Sequence, residues 1–299
     1  MATTPASTNR RAMVSEAELR ELYLTQRLTI EQIAERFGLA ATTIARRFAD
    51  LGIRARRRGP LPGTRYGVLL TADQRIEWSA ELAYAVGLIT TDGCLSRDGR
   101  HLTMTSKDVD LLETIRRCLR ITARITLSTN PRPIYRLQWG DLLFHRWLME
   151  IGLMPAKSLR LGPLRVPDEW LRDFLRGCID GDGSIVTYID RYNTFKKSTY
   201  VYTRVYLSLV SASPRFVEWL RAALQRVVGV RGDIGIRRSE EHHDIWRLRY
   251  AKRESLVLLR WMYYGADVPC LRRKYEIAAR FLVPMSRGHE RRPGRPVVV

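Results

Sequence analysis

The sequence predicts an α+β fold in which one helix–strand–strand–helix–strand–strand–helix unit occurs twice, preceded by a small all-α domain. Three observations carry this expectation. Helical and strand patterns follow one another in the same order twice between residues 76 and 284, which an internal duplication explains. Two helix endings, LAYAVGLITTDGCLS at 82–96 and LRDFLRGCIDGDGSI at 171–185, lie over one another so that Gly87 meets Gly177, Ile89 meets Ile179, Asp92 meets Asp182 and Gly93 meets Gly183. Residues 15–53 carry apolar side chains at helical spacing.

Residues 1–13 are small, polar and basic and are expected to be disordered. In 14–53 the apolar groups Leu19, Leu22 and Tyr23, then Ile30, Ile33, Ala34 and Phe37, then Ile44, Ala45 and Phe48 mark three short helices. Thr29 suits a cap for the second, Gly38 the tight turn behind it, and the third presents Thr42, Thr43, Arg46 and Arg47 outward. This stretch resembles a helix-turn-helix DNA-binding domain. Residues 54–75 combine Arg54, Arg56, Arg57 and Arg58 with glycine and proline, a basic linker able to lie along phosphates.

The first unit, 76–165, reads as an apolar helix ending at TTDG, a hairpin through CLSRDGRHLTMTS, a helix DVDLLETIRRCL, strands ARITLST and PIYRLQW, and a helix DLLFHRWLMEIG. The second, 166–284, reads as a helix ending at DGDG, strands in SIVTYIDRY and TYVYTRVYLSLVS, a helix PRFVEWLRAALQRVV, strands DIGIRR and DIWRLRYA, and a helix RESLVLLRWMYYG. Residues 285–299 form a basic, proline-containing tail, expected to be a flexible arm.

Composition narrows the partner. Lys and Arg number 51 against 31 Asp and Glu, a net charge of +20 in 299 residues, and a sequence pI near 10.4 favours a polyanion, nucleic acid first. No apolar run is long enough to span a bilayer, and the opening MATTPASTNRRAM lacks the apolar core of a secretory signal, so the expected location is intracellular, in the cytoplasm or nucleoid. Cys94, Cys118, Cys178 and Cys270 lie far apart with no C-x-x-C pair, which argues against a zinc ribbon or a disulfide scaffold and for small core residues. His242 and His243, beside Glu241 and Asp244, are expected at a hairpin tip, since adjacent strand side chains point to opposite faces.

A lone Asp-Gly is the commonest of turns, but a pair of them within one duplicated order is specific. AVGLITTDG at 85–93 and LRGCIDGDG at 175–183, with LMPAKSLRLGPLRVPDEWLRDFLRG and WMYYGADVPCLRRKYEIAARFL around them, resemble a single-chain LAGLIDADG homing endonuclease over residues 76–283. The resemblance implies a pseudo-symmetric, duplicated αββαββα fold, two antiparallel DNA-binding sheets forming a saddle, and motif helices that pack through their glycines. It implies that Asp92 and Asp182 hold divalent metal, while position 91, here Thr91, is left without an assigned metal role. Lys157 and Lys274 match basic positions near each active site, and Ser106 and Ser211 match polar positions that hold water there. Thr90 stands where the second half has Asp180, a slot treated as structural.

The chemistry of the residues agrees. Small residues at Gly87, Gly177 and Gly181 let two helices approach, and two carboxylates at two negative helix poles demand positive charge. Mg²⁺, or Mn²⁺, supplies it and suits phosphodiester hydrolysis; Ca²⁺ is expected to bind without supporting cleavage. Strand alternation makes Arg191, Lys196, Lys197, Arg204, Arg237, Arg238, Arg247 and Arg249 candidates for DNA contact in the second half, and Arg97, Arg100, Arg124, Arg132 and Arg136 in the first. Tyr188, Tyr192, Tyr200, Tyr202 and Tyr206 alternate with polar and basic residues, so that one face can pack and the other can touch DNA, with core packing the first expectation.

The resemblance implies a metal-dependent endonuclease that leaves 3′ overhangs, and the differing side chains of the two halves point to a monomer on a long asymmetric duplex. One alternative is an inactive transcription regulator, against which stand both aspartates and the amino-terminal place of the helical domain. Another is a maturase that grips intron RNA. An intein is not expected, since the chain lacks the initiating nucleophile and the terminal His-Asn.

Overall fold

The structure, a computed structural model, describes residues 15–26, 28–54, 76–129, 132–192, 195 and 197–282. The expected disordered start, the linker beyond Arg54 and the basic tail lie outside the described residues, as do Arg56, Arg57 and Lys196. The described residues fall into two compact units, 15–54 and 76–282.

In the first unit the hydroxyl of Ser15 accepts a hydrogen bond from the Glu18 N–H (3.2 Å) and starts α1, Glu16–Arg20, which continues as a π-helical turn over Glu21–Thr25. Thr29 and Gln32 open α2, Ile30–Phe37, with a reciprocal capping box (3.1 and 2.9 Å). Gly38 ends it at φ +63°, and α3 follows over Ala41–Asp50. Leu19, Leu22, Tyr23, Ile33, Ala34, Ile44, Phe48 and Ile53 make the core. Ala45 departs from the expected stripe and is exposed, because one residue of helix turns it about 100° from the buried Ile44.

The second unit repeats one order, as the sequence predicts. Its first half runs α4 (Ala80–Thr91), β1 (Gly93–Leu95), β2 (His101–Ser106), α5 (Val109–Cys118), β3 (Ile125–Ser128), β4 (Ile134–Gly140) and α6 (Leu142–Glu150). Its second half runs α7 (Leu171–Asp180), β5 (Gly183–Asp190), β6 (Tyr202–Ser211), α8 (Pro214–Val228), β7 (Asp233–Arg237), β8 (Ile245–Tyr250) and α9 (Lys252–Met262). Both sheets are antiparallel, with orders β1-β2-β4-β3 and β5-β6-β8-β7. A further helix, α10 (Arg272–Ala279), was not anticipated from the sequence.

Leu102, Met104, Leu137 and Trp139 of one sheet, and Ile185, Val205, Leu207, Leu209 and Leu248 of the other, alternate onto the helix-covered sides and share one core with α4 and α7. Each of those two helices is buried almost all round, α4 from Leu82 to Thr90 and α7 from Asp173 to Asp180, as helices enclosed within a domain must be.

Two expectations need correction. The tyrosines of β5 and β6 are not core residues: Tyr188 and Tyr202 are exposed on the opposite side of the sheet from Val205 and Leu207, and Tyr192 protrudes beyond β5. Of the cysteines only Cys178 is buried; Cys118 and Cys270 are partly covered, and Cys94 is exposed because the middle residue of β1 points away from the helices. His242 and His243 do lie at the tip between β7 and β8.

Candidate active site at the crossing of two helices

The contact between α4 and α7 is backbone against backbone. A Cβ added to Gly87 would overlap Phe174 O and lie 2.9 Å from Cys178 N, and one added to Gly177 would overlap Tyr84 O and lie 2.9 Å from Leu88 N. The partners are equivalent positions of the two repeats, so the crossing is a local pseudo-twofold. Only hydrogen side chains permit it. The Cys178 thiol adds a contact to Gly87 O at 3.6 Å.

This crossing brings the two helix ends together. A Cβ at Gly181 would collide with the Thr91 hydroxyl and lie 3.3 Å from Asp92 Oδ2, so the residue before Asp182 abuts the Asp92 carboxylate. Burial first, and then the negative charge of Asp182, push the Asp92 carboxyl up to about 6, while Lys274 and Lys157 pull it down. Asp182 is also raised, by desolvation, against the pull of Lys157 and Lys274. Its side chain is exposed, however, and water screening makes its shift the less consequential of the two.

The positive charge that the helix ends demand comes from Lys157 and Lys274, both nearly buried at 8% and 5% exposure. Lys157 Nζ donates to the carbonyls of Gly93 and, at 3.4 Å, Thr91. Lys274, on α10, donates to Ile179 O (2.6 Å), Asp180 O (2.9 Å), Gly181 O (3.2 Å) and Gly183 O (2.7 Å). Thr91 with Gly181, and Gly93 with Gly183, are equivalent positions, so each lysine closes the carbonyl end of its own motif helix. Desolvation lowers the pKa of both, with the nearby acidic groups opposing it. Sequence reading placed these lysines at the site but missed this capping role; the macrodipole argument that asked for a cation was the signal for it.

The sixth motif slot is structural in both halves. Thr90 turns its hydroxyl back to Val86 O (2.7 Å), whereas Asp180 Oδ2 accepts from the Tyr84 hydroxyl (2.8 Å) and the Leu271 N–H (2.7 Å), tying both helices to the chain before α10. Burial raises Asp180 to about 6 despite these bonds. Arg176, fully buried, binds Asp173 (2.6 Å), Met262 O (2.5 Å) and Pro269 O (2.7 Å) and anchors α7 to the chain between α9 and α10, a role with no local signal in its neighbours along the chain.

Ser106 and Ser211 stand in matching register, each two residues past the strand partner of Gly93 or Gly183. Both hydroxyls accept a turn N–H, from Asp108 (3.0 Å) and Ser213 (3.1 Å). The Thr91 hydroxyl faces back onto its helix, toward Leu88 O at 3.1 Å.

Among the described residues no group of three or more His, Cys, Asp or Glu side chains could hold a metal. Two converging carboxylates, one of them disfavoured as an anion by its twin, fit a hard divalent cation that takes its other ligands from water and phosphate.

The arginines sort by face. Arg204, Arg247, Arg249 and Arg237 lie on the side of the second sheet away from Leu207 and Leu248, as the pairings Ser208 with Arg249, Val210 with Arg247 and Gly235 with Arg247 require. Arg238 follows β7, and exposed Arg191 and Lys197 lie between β5 and β6. In the first half Arg136 is exposed on the equivalent face of β4, Arg124 precedes β3, Arg97 and Arg100 occupy the β1–β2 turn, and Arg132 precedes β4. On α3, Thr42 and Arg46 are exposed, and Thr43 and Arg47 half-exposed.

Solved structures similar to the chain include the LAGLIDADG homing endonuclease I-LtrWI bound to target DNA, at 11% identity over 68% of this chain and 89% of that one, TM-score 0.46. They also include I-DmoI in complex with DNA and Ca, at 15% identity over 67% and 96%, TM-score 0.43. Full-length DUF199/WhiA from Thermatoga maritima is similar at 15% identity over 70% and 62%, TM-score 0.42. No curated protein matches in sequence. Residues 169–260 match the family described as LAGLIDADG-like domain.

Proposed function

We propose that the chain is a divalent-metal-dependent DNA endonuclease of the homing type, which cuts both strands of a long asymmetric duplex as a monomer and leaves 3′ overhangs. One observation carries the reading: Asp92 and Asp182 meet at equivalent ends of two helices in backbone contact, each end closed by a buried lysine. A structural turn would need neither the pairing nor the buried cations.

Asp92 and Asp182 would hold Mg²⁺ or Mn²⁺, with Ca²⁺ binding but not supporting cleavage. The metal supplies polarisation of the scissile phosphate and an acidified water. Lys157 and Lys274 keep the motif carbonyls turned inward and lend positive potential where charge develops on phosphate. Ser106 and Ser211 position water. The arginine faces hold the duplex, and the three-helix unit acts as a helix-turn-helix domain through Thr42, Thr43, Arg46 and Arg47, with Arg56 and Arg57 along the backbone.

A randomised duplex library, incubated with the protein in Mg²⁺ or in chelator and sequenced at its cut ends, tests this. One enriched long site, cut only with Mg²⁺ and left intact by Asp92→Asn and Asp182→Asn variants that still bind it, is the expected result. Enrichment of bound duplex without cuts would establish a regulator instead, and preference for intron RNA over every duplex a maturase.

A further inference from the structure

On the outer face of the second sheet, two of the arginines are held and two are not. Arg204 Nε donates to Asp190 Oδ2 (2.9 Å), its Nη2 forms an ion pair with the same oxygen at 2.8 Å, and Asp190 is itself fixed by the Tyr192 N–H (2.9 Å). The Arg249 guanidinium lies over the Tyr206 ring, 3.8 Å from its centroid, and that ring stacks on Tyr188 at 6.2 Å and 20°. The register Tyr188 with Arg204 and Ser208 with Arg249 places these groups in one band across β5, β6 and β8. Arg237 and Arg247 share the face, yet among the described residues neither has an ion pair or ring partner.

Surface ion pairs of this kind add little to stability, so Asp190 needs another reason. Its effect is to remove rotamer freedom from a long side chain while leaving Arg204 partly exposed, at 40%. A guanidinium fixed in orientation suits the two-pronged contact with a guanine edge, whereas a mobile one serves phosphate equally well.

We propose that Asp190 and Tyr206 are positioning residues that hold Arg204 and Arg249 as guanine readers, and that Arg237 and Arg247 contact phosphate. The second half of the target is then recognised through two guanines. The inference rests on the duplex-binding reading above.

The test is selection of bound duplexes from a randomised library by the full chain in Ca²⁺, for the wild type and for Arg204→Ala, Asp190→Asn, Asp190→Glu, Arg249→Ala and Tyr206→Leu, each checked by thermal melting. Arg204→Ala should erase preference at one guanine, by about tenfold or more. Asp190→Asn should weaken preference at that same guanine while affinity for mismatched duplexes holds or rises, because a negative charge is gone, and Asp190→Glu should restore part of it. Tyr206→Leu should weaken the guanine that Arg249→Ala erases. Asp190→Asn and Tyr206→Leu variants that keep both preferences, or that change affinity for every sequence by one factor, would overturn the proposal. A wild-type chain that enriches no duplex would overturn the duplex-binding reading itself.

Discussion

Gly177→Ala is the smallest change that probes the crossing. The added Cβ would overlap Tyr84 O and come within 2.9 Å of Leu88 N and 3.0 Å of the Tyr84 carbonyl carbon, all backbone atoms with no rotamer to give way. Non-bonded atoms of this size rest about 3.5 Å apart, and the overlap with Tyr84 O is the tightest of the three, so the helices must separate by roughly 1–1.5 Å, enough to forfeit about half or more of the dispersion energy along the contact. Overpacking typically costs about 1–3 kcal/mol, and a rigid contact belongs at the upper end. Alanine returns about 1 kcal/mol as the better helix former. The net loss is about 2 kcal/mol, or roughly 4–8 °C in Tm for a unit of this size. Thermal unfolding of the full chain measures it, with Gly265→Ala as the control, since a Cβ there meets nothing closer than 3.8 Å. Equal melting of the two variants would refute the close crossing, and with it the account of how Asp92 reaches Asp182.

Other outcomes follow from the same geometry. Asp180→Ala strands two buried donors, the Tyr84 hydroxyl and the Leu271 N–H, and should lower unfolding free energy in urea by about 2–4 kcal/mol, with Asp180→Asn milder because its amide oxygen still accepts. Lys274→Met removes the cation from four carbonyls and should destabilise by about 2–3 kcal/mol, more than Lys157→Met, whose lysine serves two; equal losses would contradict the hydrogen-bond assignment. For Asp92, raised to about 6 from 3.8, stability is fully present below pH 3.8 and is lost as pH rises through 6, because the folded state holds the proton longer. Mg²⁺ relieves that loss, so its stabilising thermal shift against chelator should be larger at pH 7.5 than at pH 5, and an equal shift at both would count against metal binding there.

Much of the fold was legible because it is written in local periodicity. Gly87 and Gly177, Asp92 and Asp182, and the alternating strands of both halves stand at matching places in the chain, and each half obeys the pattern its neighbours in sequence impose. The α10 helix was not legible as an element, since RRKYEIAA is weakly amphipathic and follows a proline-containing loop. The tyrosines misled for another reason. Alternation says that residues 202 and 206 share a face, but not which face meets the core; Val205, Leu207 and Leu209 compete for the inner side and win by being wholly apolar, and the register puts Tyr188 on the outer side with Tyr202 and Tyr206.

The sequence by itself determined the duplication, the basic character, the two motif aspartates and the need for a cation beside them, because composition, spacing and helix dipoles are properties of the chain. The resemblance named Lys157 and Lys274, but the tertiary structure alone decided how they answer: they close the carbonyl ends of the motif helices, reaching across 64 and 91 residues of chain to Gly93 and Gly183, respectively, and only packing brings them there. It also decided that Asp180 ties two helices to a loop while Thr90 bonds only its own turn, and that Asp190 and Tyr206 restrain two arginines among several. Side-chain partners of this kind depend on distances between segments remote in sequence, which no local pattern encodes.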